Sequence, residues 1–298
     1  MYGELLDGLA DDIEAGGPTA RVLEGHEDDP GPSALALRLL GSVHRMVLER
    51  QAGGLATYYP SVGGTWEAES GVPAFLHLLE EQPEAVRAWL DRLPQTNEVG
   101  RAAALAGGLQ RLGGPVRLFE IGASAGLNLL VEHHAFLEGA SVLRIEHRVG
   151  CDLRPIDPTT TEGRLALTAY VWPDQAARIE RLRAALDIAQ RHLPEVRRQG
   201  AGDFVQEIEL SDGASTVLWH SVMWQYLPAD EQARVTQRIE ELGTAASDDR
   251  PFAHLFLEPT RRHEGGHHEF LVVLTTWPGG QRRILGTAAP HGLPVTWD

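Results

Sequence analysis

The sequence predicts an α/β protein: a helical N-terminal region over residues 1–114, then a domain over residues 115–298 built on a mostly parallel sheet with an antiparallel hairpin at one edge. Three observations carry this. Before Gly113-Gly114-Pro115, apolar residues recur at helical spacing. After Pro115, short apolar runs alternate with helical segments, the pattern of strands covered on both faces by helices. The closing stretch "EFLVVLTTWPGGQRRILGTAAP" reads as two strands joined by a Pro-Gly-Gly turn.

In the first region, "SALALRLLGSVHRMVLER" predicts a helix capped by Ser33, with Leu35, Leu39, Val43, Met46 and Val47 on one face. Residues 56–71 lack periodicity and read as an irregular loop. "VPAFLHLLEEQPEAVRAWLDRL" gives two helices, the second opening at Pro83. "TNEVGRAAALAGGLQRLGG" gives another, capped at Thr96 or Asn97. The second region offers strands in "VRLFEI", "IEHRVGCDL", "EVRRQGAGDF", "STVLWHSVMWQYL" and "PFAHLFLEP". Helices are expected from Leu127, over "DQAARIERLRAALDIAQRHL" with Asp174 as cap, and over "ADEQARVTQRIEEL" up to Gly243.

A chain of 298 residues, 43% hydrophobic and 23% charged, can bury a sizeable core. It has no apolar run long enough to span a membrane. The acidic, amphipathic N-terminus lacks the regions of a secretion signal, and the one cysteine, Cys151, suits a reducing compartment, so the cytoplasm is expected. A formal net charge of −16 opposes nucleic acid as a partner and leaves a small molecule as the expected one.

The stretch "LFEIGASAGLN", residues 118–128, concentrates the chemistry. Gly122-Ala123-Ser124-Ala125-Gly126 fits the G-x-S-x-G elbow of a serine hydrolase, with Glu258 and His291 available downstream in the order acid, then histidine. A helical region stands upstream where that fold needs several strands. The same residues fit a Gly-rich strand-to-helix turn that brings a nucleoside ligand against bare backbone. Asp152 would accept the ribose hydroxyls at the end of the second strand, and Asp203 would hold an adenine edge at the end of the third. The fourth strand ends in His220, Ser221, Trp224 and Tyr226.

Several long motifs resemble one family. "YYPSVGG", "QTNEVGR", "LFEIGASAGLNL", "GCDLRPIDP", "YVWPDQAARIERLRAAL", "HSVMWQYLP" and "WPGGQRRILGTAAPHGLPVTW" are similar to the bacterial domain-of-unknown-function family DUF2332. The resemblance spans nearly the whole chain. It implies a Rossmann-like class I methyltransferase fold with a seven-stranded sheet, and no established reaction. The stretch between Phe136 and Arg148 is shorter than the family's and lacks its aromatic-rich segment, which bears on the shape of an acceptor pocket.

Together these point to S-adenosylmethionine as cofactor and methyl transfer to a small acceptor as the reaction. The expected ligand contacts are Glu120, Gly122, Ser124, Gly126, Asn128, Asp152, Asp203, His220 and Ser221. Tyr58, Tyr59, Asn97, Trp224 and Tyr226 would meet the acceptor, and His220 or Glu98 would remove its proton. A non-catalytic adenosyl-binding protein is the other alternative to the hydrolase. No metal is expected. His263-Glu264-Gly265-Gly266-His267 spells H-E-x-x-H, but two adjacent glycines oppose the helix that motif requires, and a solvated hairpin loop is predicted, with His268 beyond it. His133 and His134 read as helix-packing imidazoles.

Overall fold

The computed structural model of the chain describes residues 1–31, 34–91 and 94–298. The chain divides into two units, residues 1–96 with 160–182, and residues 97–159 with 183–298. The border anticipated at residue 114 therefore falls inside the second unit.

The first unit is helical: α1 (Tyr2–Glu14), α2 (Pro18–Leu23), α3 (Leu35–Leu48), α4 (Ala68–Glu81) and α5 (Pro83–Leu90). Its later segment supplies α7 (Thr161–Ala169) and the start of α8 (Ala176–Ala189), and α6 (Ala102–Leu112) belongs to the second unit. Leu5, Leu9, Val43, Val47, Phe75, Leu79 and Leu90 form the centre of its core. The expected Ser33 cap lies outside the described residues. Residues 56–71 are more ordered than a loop: 3-10 turns run over Gly53–Tyr58 and Pro60–Val62, and α4 already begins at Ala68. Trp66 explains the early start, because its ring covers Gly71 so closely that a Cβ there would lie 2.5 Å away. Asp174 is not the cap of α8, which begins two residues later; its carboxylate pairs with the Met1 amino group at 3.3 Å. α7 has no counterpart among the expected elements.

The second unit carries one sheet, of eight strands among the described residues rather than seven. They are β1 (Pro115–Ile121), β2 (Arg144–Asp152), β3 (Val196–Arg198), β4 (Ser215–Ser221), β5 (Phe252–Arg261), β6 (His268–Trp277), β7 (Gln281–Ala288) and β8 (Val295–Trp297), in the order β3-β2-β1-β4-β5-β6-β7-β8. The first five in that order pair in parallel and the rest antiparallel, so the anticipated edge hairpin of β6 and β7 gains β8 beside it.

Strand alternation sorts the core into two faces. Leu118, Val217, Trp219, Leu255 and Leu257 pack with α6, while Phe119, Ile121, Leu218 and Phe252 pack beneath α9 (Ala201–Gln206) and α10 (Ala229–Ala245). α10 passes through Gly243, whose missing side chain makes room for the Trp277 ring.

At β1 the order reverses, with β2 on one side and β4 on the other. That reversal opens a crevice beyond the carboxyl ends of β1 and β4, the usual ligand position in such sheets. The turn leaving β1 is left-handed at three positions: Gly122 (φ 68°), Ser124 (φ 55°) and Gly126 (φ 71°). No α-helix follows it. Leu127–His133 is 3-10 in character and leaves helical geometry at Leu130. Nor do the two glycines face open space. Met223 stands where a Gly122 Cβ would point, and Val196 and Pro194 stand over Gly126.

Gly126→Ala is expected to destabilise the protein by about 2–4 kcal/mol, from the left-handed backbone and from a Cβ 2.7 Å from Val196 Cγ2. Gly139→Ala, also left-handed but meeting only the end of Gln110, should cost about 1–2 kcal/mol. Equal midpoints for the two variants in urea unfolding would refute the packing role of Gly126.

Candidate functional site

The crevice is built from backbone ties upward. The Ser124 N–H donates to Asp152 Oδ2 at 2.9 Å, and the Arg154 N–H donates to Asp152 Oδ1 at 2.9 Å. The end of β2 thus grips the turn that leaves β1. The Leu127 N–H donates to Asn97 Oδ1 at 2.8 Å, so Asn97 caps the 3-10 segment. Next to it, Glu98 accepts from the Gly100 N–H at 3.2 Å and faces His291 Nδ1 at 3.6 Å. Arg101 donates to the carbonyls of Pro290 and Ser221 at 3.2 and 3.4 Å. His134, buried, holds the Leu127 carbonyl through Nε2 at 2.8 Å.

Buried polar groups gather on the α6 face of this crevice. Glu120 and Trp219 are register partners on β1 and β4. Glu120 Oε2, Trp219 Nε1, Ser124 Oγ and Asn128 Oδ1 are all buried without a hydrogen-bond partner. Orphaned polar atoms are costly inside a protein, and four around one turn mark a place built to receive something polar. Burial pushes the Glu120 carboxyl up to about 8; Asn128, Trp219 and Arg101 oppose the rise and Asp152 adds to it. At neutral pH Glu120 is therefore a protonated acid, able to donate.

His220 belongs to the opposite face. Its Nδ1 donates to Glu258 Oε1 at 2.8 Å, its Nε2 meets His254 Nε2 at 3.0 Å, and its ring stacks against Trp224 and Phe256. Glu258 Oε1 also accepts from the N–H groups of Met223 and Trp224 at 3.0 and 3.2 Å. Burial, with the charges of His220 and Arg282, holds the His254 imidazole well below its ordinary range, so it is neutral.

The remaining expected residues separate. Tyr58 and Tyr59 belong to the first unit, where Tyr59 is a fully buried core residue against His44. Asp203 does not end β3; it sits in the first turn of α9, exposed, and pairs with Arg234 at 2.5 Å. Tyr226 is exposed. The parts of the elbow reading are not joined: Ser124 Oγ is orphaned, Glu258 serves His220, and His291 faces Glu98. The H-E-x-x-H residues form the turn between β5 and β6, as expected of a hairpin loop. No group of three or more potential metal ligands occurs among the described residues.

Sequence reasoning missed Arg101, Trp219 and His254 and gave Glu258 another partner. The signal for two of them was present, since the alternation in "HLFLE" puts His254, Phe256 and Glu258 on one strand face.

Two outcomes follow. Glu120 binds a proton in the folded state between its unfolded value near 4.3 and about 8, so its contribution to stability declines as pH rises through that window and then levels off. Glu120→Gln should gain stability relative to the native chain by at most about 1.4 kcal/mol per pH unit between pH 5 and 8; a pH-independent difference in melting temperature would refute the buried acid. A fluorophosphonate probe should leave Ser124 unmodified, and labelling abolished by Ser124→Ala would restore the hydrolase.

Among the described residues no helix is long and apolar enough to cross a membrane. No curated protein matches the chain. A family model described as an uncharacterized protein conserved in bacteria, DUF2332, matches residues 1–140 and 134–297. The chain is a member of the DUF2332 family.

Proposed function

We propose that the protein binds S-adenosylmethionine in the crevice beyond β1 and β4 and methylates a small molecule. The observation that carries this reading is the spending of the turn's donors. A pyrophosphate needs free N–H groups at a helix N-terminus. Here the Ser124 and Leu127 N–H groups are taken by Asp152 and Asn97, a 3-10 segment replaces the helix, and two carboxyl groups, Glu120 and Asp152, face the crevice. That environment favours a nucleoside bearing positive charge over a dinucleotide. The strand order β3-β2-β1-β4-β5 with an antiparallel neighbour supports a Rossmann-like methyltransferase fold.

The orphaned atoms fit such a ligand. Asp152 would accept from the ribose hydroxyls with the lone pairs its two backbone ties leave. Glu120, Ser124 and Asn128 would meet the amino-acid portion. The bound cofactor supplies an activated methyl group on a sulfonium. The chain's own work is then positioning, exclusion of water and removal of one proton from the acceptor.

S-adenosylhomocysteine at about 100 times its dissociation constant should stabilise the fold by roughly 2.7 kcal/mol, a melting shift of about 5–10 °C. Asp152→Asn should weaken binding about 10- to 100-fold. It should also lower the melting temperature without ligand, because Asp152 holds the turn. Calorimetry with S-adenosylhomocysteine and NAD checks this; tighter binding of NAD, or no binding of S-adenosylhomocysteine at millimolar concentration, would overturn it.

A further inference from the structure

Under α10 lies a cavity of about 770 Å³ that the crevice site does not use. Its size suits a small organic ligand. The floor is a row across three strands. His254 on β5 pairs in register with Thr275 on β6, and Thr275 with Arg282 on β7. All three line the cavity, so an imidazole, a hydroxyl and a guanidinium stand in line across two strand spacings, about 10 Å. Phe256 borders the row on one side and Trp277 on the other, and Trp224 contributes a third aromatic wall. Arg282 has no ion-pair or hydrogen-bond partner among the described residues, in a chain whose net charge is −16. The wall chemistry asks for a flat ring, and the lone cation for an anion at one end of it.

The opposite end of the row is connected to a carboxylate. Glu258 takes the Nδ1–H of His220. With both rings neutral, His220 Nε2 is then an acceptor, and the 3.0 Å contact requires that His254 Nε2 donate to it. His254 Nδ1 is left as the lone pair of the chain's last ring. When it takes a proton, Nε2–H passes to His220 Nε2, and the positive charge comes to rest beside Glu258 instead of on buried His254.

We infer that this cavity binds a hydroxylated aromatic carboxylic acid, its carboxylate at Arg282 and its hydroxyl at His254, with His254, His220 and Glu258 removing the hydroxyl proton. The O–H bond breaks, an N–H bond forms at His254 Nδ1, and the Nε2 proton moves to His220; the products are a phenolate and a His220 imidazolium paired with Glu258. The acid's use as methyl acceptor rests on the methyltransferase reading; its seat in the cavity does not. The charged and titratable groups around it are His254 and Glu258 on β5, His220 on β4, His268 on β6, Arg282 on β7 and Glu240 on α10.

The test is calorimetry of the full chain with 4-hydroxybenzoate and 4-hydroxybenzamide, without any adenosyl compound, and absorbance of the bound acid across pH. The acid should bind about 10- to 100-fold more tightly than the amide, and Arg282→Gln, an exposed substitution, should erase that preference. The bound phenol should ionise at lower pH than the free one, an effect lost in His254→Asn at unchanged Arg282 dependence. Equal binding of acid and amide, no binding of the acid, or a bound phenol that ionises at its free pH would overturn the inference. Acid binding without binding of S-adenosylhomocysteine would uphold the cavity's ligand and remove the methyltransferase reading; the reverse would leave that reading and remove this one.

Discussion

The second unit is organised around one carboxylate. Asp152 joins the backbone just after β1 to the backbone just after β2, through one oxygen to each N–H. Three left-handed residues in a five-residue turn are expensive to hold, Ser124 most of all because it carries a Cβ. A charge-assisted bond to the Ser124 N–H offsets part of that cost, and the packing of Met223, Val196 and Pro194 over the two glycines supplies more. With the turn fixed, Glu120, Ser124 and Asn128 are held together around the reversal point of the sheet. The aspartate is thus both a structural clamp and the acceptor nearest a bound ribose, and the two roles cannot be separated by deleting it.

A second organising fact is the pleat. Residues adjacent in sequence at the end of β4, Trp219 and His220, point to opposite faces of the sheet. One joins the buried acid of the crevice; the other joins the histidine chain under α10. The Met223 side chain and backbone link the two regions, lying over Gly122 and donating to Glu258.

The sheet-forming strands, the β6–β7 hairpin and the Gly-rich turn were legible because each rests on local signals: period-two apolar runs, Pro-Gly-Gly, and small residues where φ must be positive. The site was only partly legible. Glu120, Ser124, Asn128 and Asp152 do gather at the turn, but Asn97 and Glu98 proved to be caps, since a cap's partner thirty residues away leaves no local trace. Tyr59 looked available and is core, because the 3-10 turns that bury it have too short a pattern to show periodicity. Asp203 slid into a helix when β3 ended after three residues. His254 was hidden in an apolar run whose alternation is visible only once the strand is known.

The sheet is assembled from two kinds of connection. β1, β2, β3, β4 and β5 reach their parallel partners only through long excursions, one of which is the whole segment that leaves for the first unit between residues 160 and 182. β5, β6, β7 and β8 follow one another as a meander over short turns. Closing a short loop surrenders less chain entropy than closing a long one, and local pairings form with lower contact order. The four C-terminal strands therefore hold the cheapest long-lived contacts in the unit, and β5, which belongs to both halves, is the natural seam on which the parallel strands can be templated.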